Sequence, residues 1–80
     1  MIVSPTPVKS DLTVSYDLPN GEYQLLITGA QSQVRFGEYT LDSTQNEITV
    51  NVSGLPKGIY IATIIGRDGQ PQESVKFVKE

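Results

Sequence analysis

Leu12-Thr13-Val14-Ser15-Tyr16-Asp17-Leu18-Pro19-Asn20-Gly21 is the stretch on which the fold class turns. Four apolar side chains alternate with Thr13, Ser15 and Asp17, a period of two that sets one face of a β-strand against a core. Asn20-Gly21 tolerates positive φ and predicts a hairpin from this strand into the next. Working outward, Tyr23, Leu25 and Ile27 form a second inward row, and Ile48, Val50 and Val52 alternate with Thr49, Asn51 and Ser53 to form another. Val34 with Phe36, then Tyr39 with Leu41, predict two shorter strands about Gly37. Asp68-Gly69 marks a later turn. No segment carries the i, i+3, i+4 spacing of an amphipathic helix. About seven short strands with frequent turn signals predict an all-β, immunoglobulin-like antiparallel sandwich, with a small barrel as the other architecture. Ser4-Pro5-Thr6-Pro7-Val8 reads as an edge segment, where the missing proline N–H does no harm.

Eighty residues make one small domain, 1–80, with neither cysteine nor histidine. A disulfide scaffold is excluded, and the commonest metal ligand and general base is missing. The formal charge is −3, and the six cations, Lys9, Arg35, Lys57, Arg67, Lys76 and Lys79, are dispersed. A nucleic-acid footprint needs them clustered. Apolar runs are too short for a membrane span or a secretory leader, so no membrane insertion is expected, and a leader would belong to a longer parent. No serine-histidine or cysteine-histidine nucleophile can be assembled, and no glycine-rich phosphate loop precedes a helix. Asp42 and Asp68 lack the companions a calcium site needs. The reading is a non-enzymatic domain without a cofactor.

Two segments near the end stand out: Leu55-Pro56-Lys57-Gly58-Ile59-Tyr60, and Val75-Lys76-Phe77-Val78-Lys79-Glu80. Gly58 suits the fourth position of a type I turn opening at Leu55. Tyr60, with Ala62 and Ile64, reads as core. Phe77 is expected to anchor the last strand, with Lys76 and Lys79 presented beside it. That arrangement also fits ordinary edge protection by charge. If Tyr60, Ala62 and Ile64 face inward, Ile59, Ile61 and Ile65 face out, as surface residues or as a contact for a partner or a second copy.

Pro5-Thr6-Pro7-Val8, Leu12 to Pro19, Val50 to Tyr60 and Val75-Lys76-Phe77-Val78, in this order, resemble the C-terminal sorting domain of cargo of the bacterial type IX secretion system. The best-marked parts are the Leu-Pro-x-Gly-x-Tyr element and the Lys-Phe-Val ending. Thr6 stands where the family carries asparagine, and Thr28 and Gln31 stand where it carries aspartate and glycine. The resemblance implies a C-terminal domain of a larger exported protein of a Bacteroidetes-type bacterium. It further implies periplasmic transit, recognition by the outer-membrane translocon with its shuttle or sortase components, and in many cargos later cleavage and attachment at the cell surface. Gly58, Tyr60, Lys76, Phe77, Val78 and Lys79 are the recognition candidates. The rival reading is an adhesive or carbohydrate-binding module of similar fold, which would display aromatics. This chain has no tryptophan.

Overall fold

The computed structural model describes residues 1–31 and 34–80. Among the described residues there are seven strands, β1 (Ile2–Ser4), β2 (Asp11–Ser15), β3 (Glu22–Gly29), β4 (Arg35–Asp42), β5 (Glu47–Asn51), β6 (Gly58–Gly66) and β7 (Pro71–Lys79). They form a three-stranded sheet ordered β1-β2-β5 and a four-stranded sheet ordered β4-β3-β6-β7, with every strand pairing antiparallel. The inward rows meet between the sheets. Leu12, Val14, Leu25, Ile27, Val50, Ala62, Ile64 and Phe77 are all but sealed from water, the burial that drives a two-layer domain together. The immunoglobulin-like sandwich is therefore the architecture, not the barrel.

Two local expectations are corrected. Asn20-Gly21 is no hairpin, since β2 and β3 lie in different sheets and six residues, 16–21, carry the chain across. Pro19 cannot donate to a ladder, and Tyr16 is drawn over the seam, its hydroxyl donating to the Asp42 carbonyl at 3.0 Å. The second correction concerns Gly37, where one strand runs instead of two. Ile27 pairs with Gly37 but Thr28 pairs with Arg35, so Phe36 is the extra residue of a bulge. The bulge turns Phe36 towards the core side, where its ring meets Tyr60 edge-on at 5.3 Å.

The other turn behaves as its residues demand. At the β6–β7 hairpin, Gly69 N–H donates to the Gly66 carbonyl and Gly66 N–H to that of Gln70, each at 2.9 Å. Gly69 sits at φ +82°, a conformation that suits glycine and strains other residues. Pro71 opens β7, where no ladder donor is needed. Ser4 to Val8 does run along edges. It leaves β1 at one sheet's edge and reaches the edge of β7, where Val8 N–H donates to the Val78 carbonyl at 2.8 Å and Glu80 N–H to that of Val8 at 2.9 Å.

The pairing also exposes an internal repeat. Leu18 to Gly29 recurs as Leu55 to Gly66, with leucine, proline, glycine, tyrosine, isoleucine and glycine identical at six of twelve positions. Asp11-Leu12-Thr13-Val14-Ser15 recurs just before it as Glu47-Ile48-Thr49-Val50-Asn51. Equivalent residues face each other across both sheets: Thr13 pairs with Thr49, and Leu26 with Thr63. The register shifts fall at equivalent places too, after Ile27 and after Ile64. The sandwich is thus two related units, β2-β3-β4 and β5-β6-β7, about a pseudo-twofold axis, with β1 added to the outer edge of β2.

Candidate functional site

Each half crosses from the smaller sheet to the larger through Leu-Pro-x-Gly-x-Tyr, and each tyrosine hydroxyl donates back to the proline carbonyl four residues earlier. Tyr23 reaches Pro19 at 2.9 Å and Tyr60 reaches Pro56. The bond ties the entering loop to the start of the strand. The tight turn ahead of β6 is not at Leu55–Gly58 as the sequence suggested. It closes from Val52 to Leu55 through Leu55 N–H to the Val52 carbonyl at 3.0 Å, supported by Ser53 N–H to Asn51 Oδ1 at 3.0 Å. Gly58, at φ +158°, opens β6.

The structure brings the two end segments together on one hairpin. Gly58 pairs with Lys79, Ile59 with Val78, Tyr60 with Phe77 and Ile61 with Lys76. Because strand side chains alternate, these pairs divide between two faces. Tyr60 and Phe77 face the core, their rings stacked at 5.6 Å and 22°. Lys79 lies on that side as well, only 6 % exposed, its ammonium donating to the Glu80 carbonyl at 2.9 Å. This corrects the expectation of two lysines presented together. Lys76 alone is displayed, and Lys79 lends its stem to packing, as a lysine does when only its head stays near water.

The outward face carries Lys76, Ile59 and Val78, the last two 46 % and 40 % exposed. Ile61 and Ile65 are half-buried on the same side, and Leu26, half-buried, lies across from Thr63. Of the three isoleucines expected to face water, only Ile59 is exposed; Ile61 and Ile65 lie on the outward side but half-buried, in a wider apolar band that includes Val78 and Leu26. Alternation alone could have placed Val78 there, since it is two residues from Lys76. Leu26 needed the β3–β6 register.

No group of three or more acidic residues among the described residues is placed to hold a metal ion. Asp42 is spent locally: Thr44 Oγ1 and Thr44 N–H donate to its Oδ1 at 2.7 and 2.9 Å. These two bonds, the hydroxyl first, hold its carboxyl below the ordinary aspartate value of 3.8. Burial, then the Asp42 charge, raise the Tyr16 hydroxyl. A depressed carboxyl pKa stabilises the fold above the unfolded value and is lost as pH falls through the folded one. Carboxyl NMR titration should place the Asp42 midpoint under 3.8, and Thr44→Val should raise it. An unmoved midpoint would deny the hydroxyl its part.

The β6–β7 hairpin thus offers an outward face of apolar side chains with one displayed charge, Lys76. The model of the secretion-system C-terminal sorting domain matches residues 3–80, and the chain belongs to that family, the sorting domain of the type IX secretion system. The family is a sorting-signal domain, a non-catalytic kind. Comparison with curated proteins finds no match. Among solved structures, the chain is similar to a DUF3244 family protein with an immunoglobulin-like β-sandwich fold from Bacteroides vulgatus ATCC 8482. The identity is 22 %, with 91 % of this chain and 78 % of that one covered, at a TM-score of 0.72. That likeness speaks to the fold.

Proposed function

We propose that this domain is the C-terminal part of a larger exported protein and acts as its secretion signal. The precursor crosses the periplasm and is taken across the outer membrane by the type IX translocon with its shuttle or sortase components, the stage at which many cargos of the family are cleaved and attached to the surface. The observation that carries this reading is the family match over residues 3–80. The hairpin geometry supports a division of labour: Gly58, Tyr60, Phe77 and Lys79 shape the hairpin, while Lys76, Val78, Ile59 and Ile61 form the surface that the machinery reads, with Ile65 at its far end. Recognition of a folded hairpin uses backbone made rigid by pairing, which lowers the ordering cost of binding.

A test fuses residues 1–80 to a folded periplasmic reporter in a cell carrying this secretion system. The reporter should reach the cell surface or the medium. An intact, folded fusion retained in the periplasm overturns the assignment.

A further inference from the structure

The repeat makes one edge of the molecule the counterpart of another, and only one is occupied. β1 lies on the outer edge of β2, with Ile2 opposite Ser15, Val3 opposite Val14 and Ser4 opposite Thr13. The residues it covers, Thr13-Val14-Ser15, recur on β5 as Thr49-Val50-Asn51. No strand flanks β5 on its outer side among the described residues. The difference shows in exposure: Thr13 and Ser15 are half-buried under β1, while Thr49 and Asn51 are exposed. Tyr16 N–H donates to the Asn46 carbonyl and Val52 N–H to that of Ser10. Because antiparallel groups alternate in direction, the N–H groups of Thr49 and Asn51 point away from β2, to the open side.

Behind this edge the seam between the sheets is incompletely filled. A cavity of about 90 Å³ lies between Ile27, Phe36, Tyr39, Asn51, Val52 and Leu55. Phe36 is 38 % exposed, and Ile48, the counterpart of the sealed Leu12, is half-buried. At the other seam Val3 closes the gap and is only 8 % exposed. The neighbouring edge of β4 is less suited to a strand, since it is bulged at Phe36 and carries Arg35, Glu38 and Asp42.

We infer that the outer edge of β5 is a second strand-docking site, and that its occupant is an extended segment of another polypeptide. That segment pairs antiparallel with β5, places a branched apolar residue opposite Val50 and a small polar residue opposite Thr49, and so copies what Ile2-Val3-Ser4 does on β2. Backbone bonds to Thr49 and Asn51 give affinity, and the apolar residue entering the seam gives selectivity, the logic of strand addition. The inference does not depend on what reads the β6–β7 hairpin.

The test titrates isotope-labelled domain with a blocked synthetic peptide of residues 1–8. Because β1 already covers β2, saturable amide shifts are expected at Thr49 and Asn51, with slowed hydrogen exchange there and little change at Thr13 and Ser15. Thr49→Pro, which removes an outward donor at an edge, should weaken the peptide at least about tenfold while the spectrum stays dispersed. The peptide bearing Val3→Lys should lose binding to the unaltered domain, an arm that needs no variant to fold. No saturable shift, shifts centred on Thr13 and Ser15, or equal binding of the lysine peptide would overturn the inference. Concentration-dependent shifts of the same β5 amides without peptide would assign the edge to a second copy instead.

Discussion

Phe77→Ala is expected to cost about 3–5 kcal/mol, the range for emptying a buried phenylalanine site. Phe77 is 1 % exposed and stacks on Tyr60, which in turn takes the edge of Phe36, so alanine leaves a void at one end of a three-ring stack and removes the support of Tyr60. A domain of this length holds only about 4–12 kcal/mol in total, at roughly 0.05–0.15 kcal/mol per residue. The melting temperature should therefore fall by roughly 12–40 °C, from about 4–8 °C per kcal/mol for a small domain. Thermal and denaturant unfolding of the isolated domain measure it, and a loss under about 1 kcal/mol would contradict this packing. Export supplies the second reading of the same variant. If the machinery recognises the folded hairpin, the reporter fusion fails together with the fold. Export of an unfolded Phe77→Ala domain would mean that the signal is a linear stretch.

What the sequence made legible follows from which forces act locally. Alternation in β2, β3, β5 and β6 reports burial directly, because a strand with one buried face must repeat every two residues. Asn20-Gly21 misled because a turn dipeptide says where the chain bends and not which strand it rejoins. Pairing partners are chosen by the whole sheet, and Leu-Pro-x-Gly-x-Tyr crosses between sheets in both halves. The repeat itself was readable, since Leu18-Pro19-Asn20-Gly21-Glu22-Tyr23 and Leu55-Pro56-Lys57-Gly58-Ile59-Tyr60 stand in plain view. Comparing the two would have shown that they share one local structure, but that it is a crossing comes only from the sheet order. Phe36 and Lys79 were less accessible. A bulge inverts the parity of what precedes it, and Lys79 follows the parity of Phe77 although its charge argues for water. Family resemblance pointed to the end segments, but their meeting as cross-strand neighbours is a matter of register, which only the β6–β7 pairing supplies.

The separation of the two lysines sharpens the remaining expectation. Lys76→Gln alters an exposed charge opposite Ile61 and should move stability by no more than about 0.5 kcal/mol. If the outward face is what the machinery reads, export should nevertheless fall at least about tenfold, equivalent to roughly 1.4 kcal/mol of lost recognition. Ile59→Lys should do the same from the neighbouring pair, by placing a second ammonium beside Val78 within the apolar band. Lys79→Gln is the internal comparison. It sits on the core side, so it should act on melting temperature through lost stem packing, and on export only as far as the fold is weakened. The measurement is export of each reporter fusion beside the melting temperature of each isolated domain. Lys76→Gln and Ile59→Lys domains that melt normally and export normally would remove the outward face from recognition, leaving backbone or the opposite edges to carry it. A Lys79→Gln fusion that melts normally yet fails to export would instead mean that the Lys79 ammonium is read during translocation.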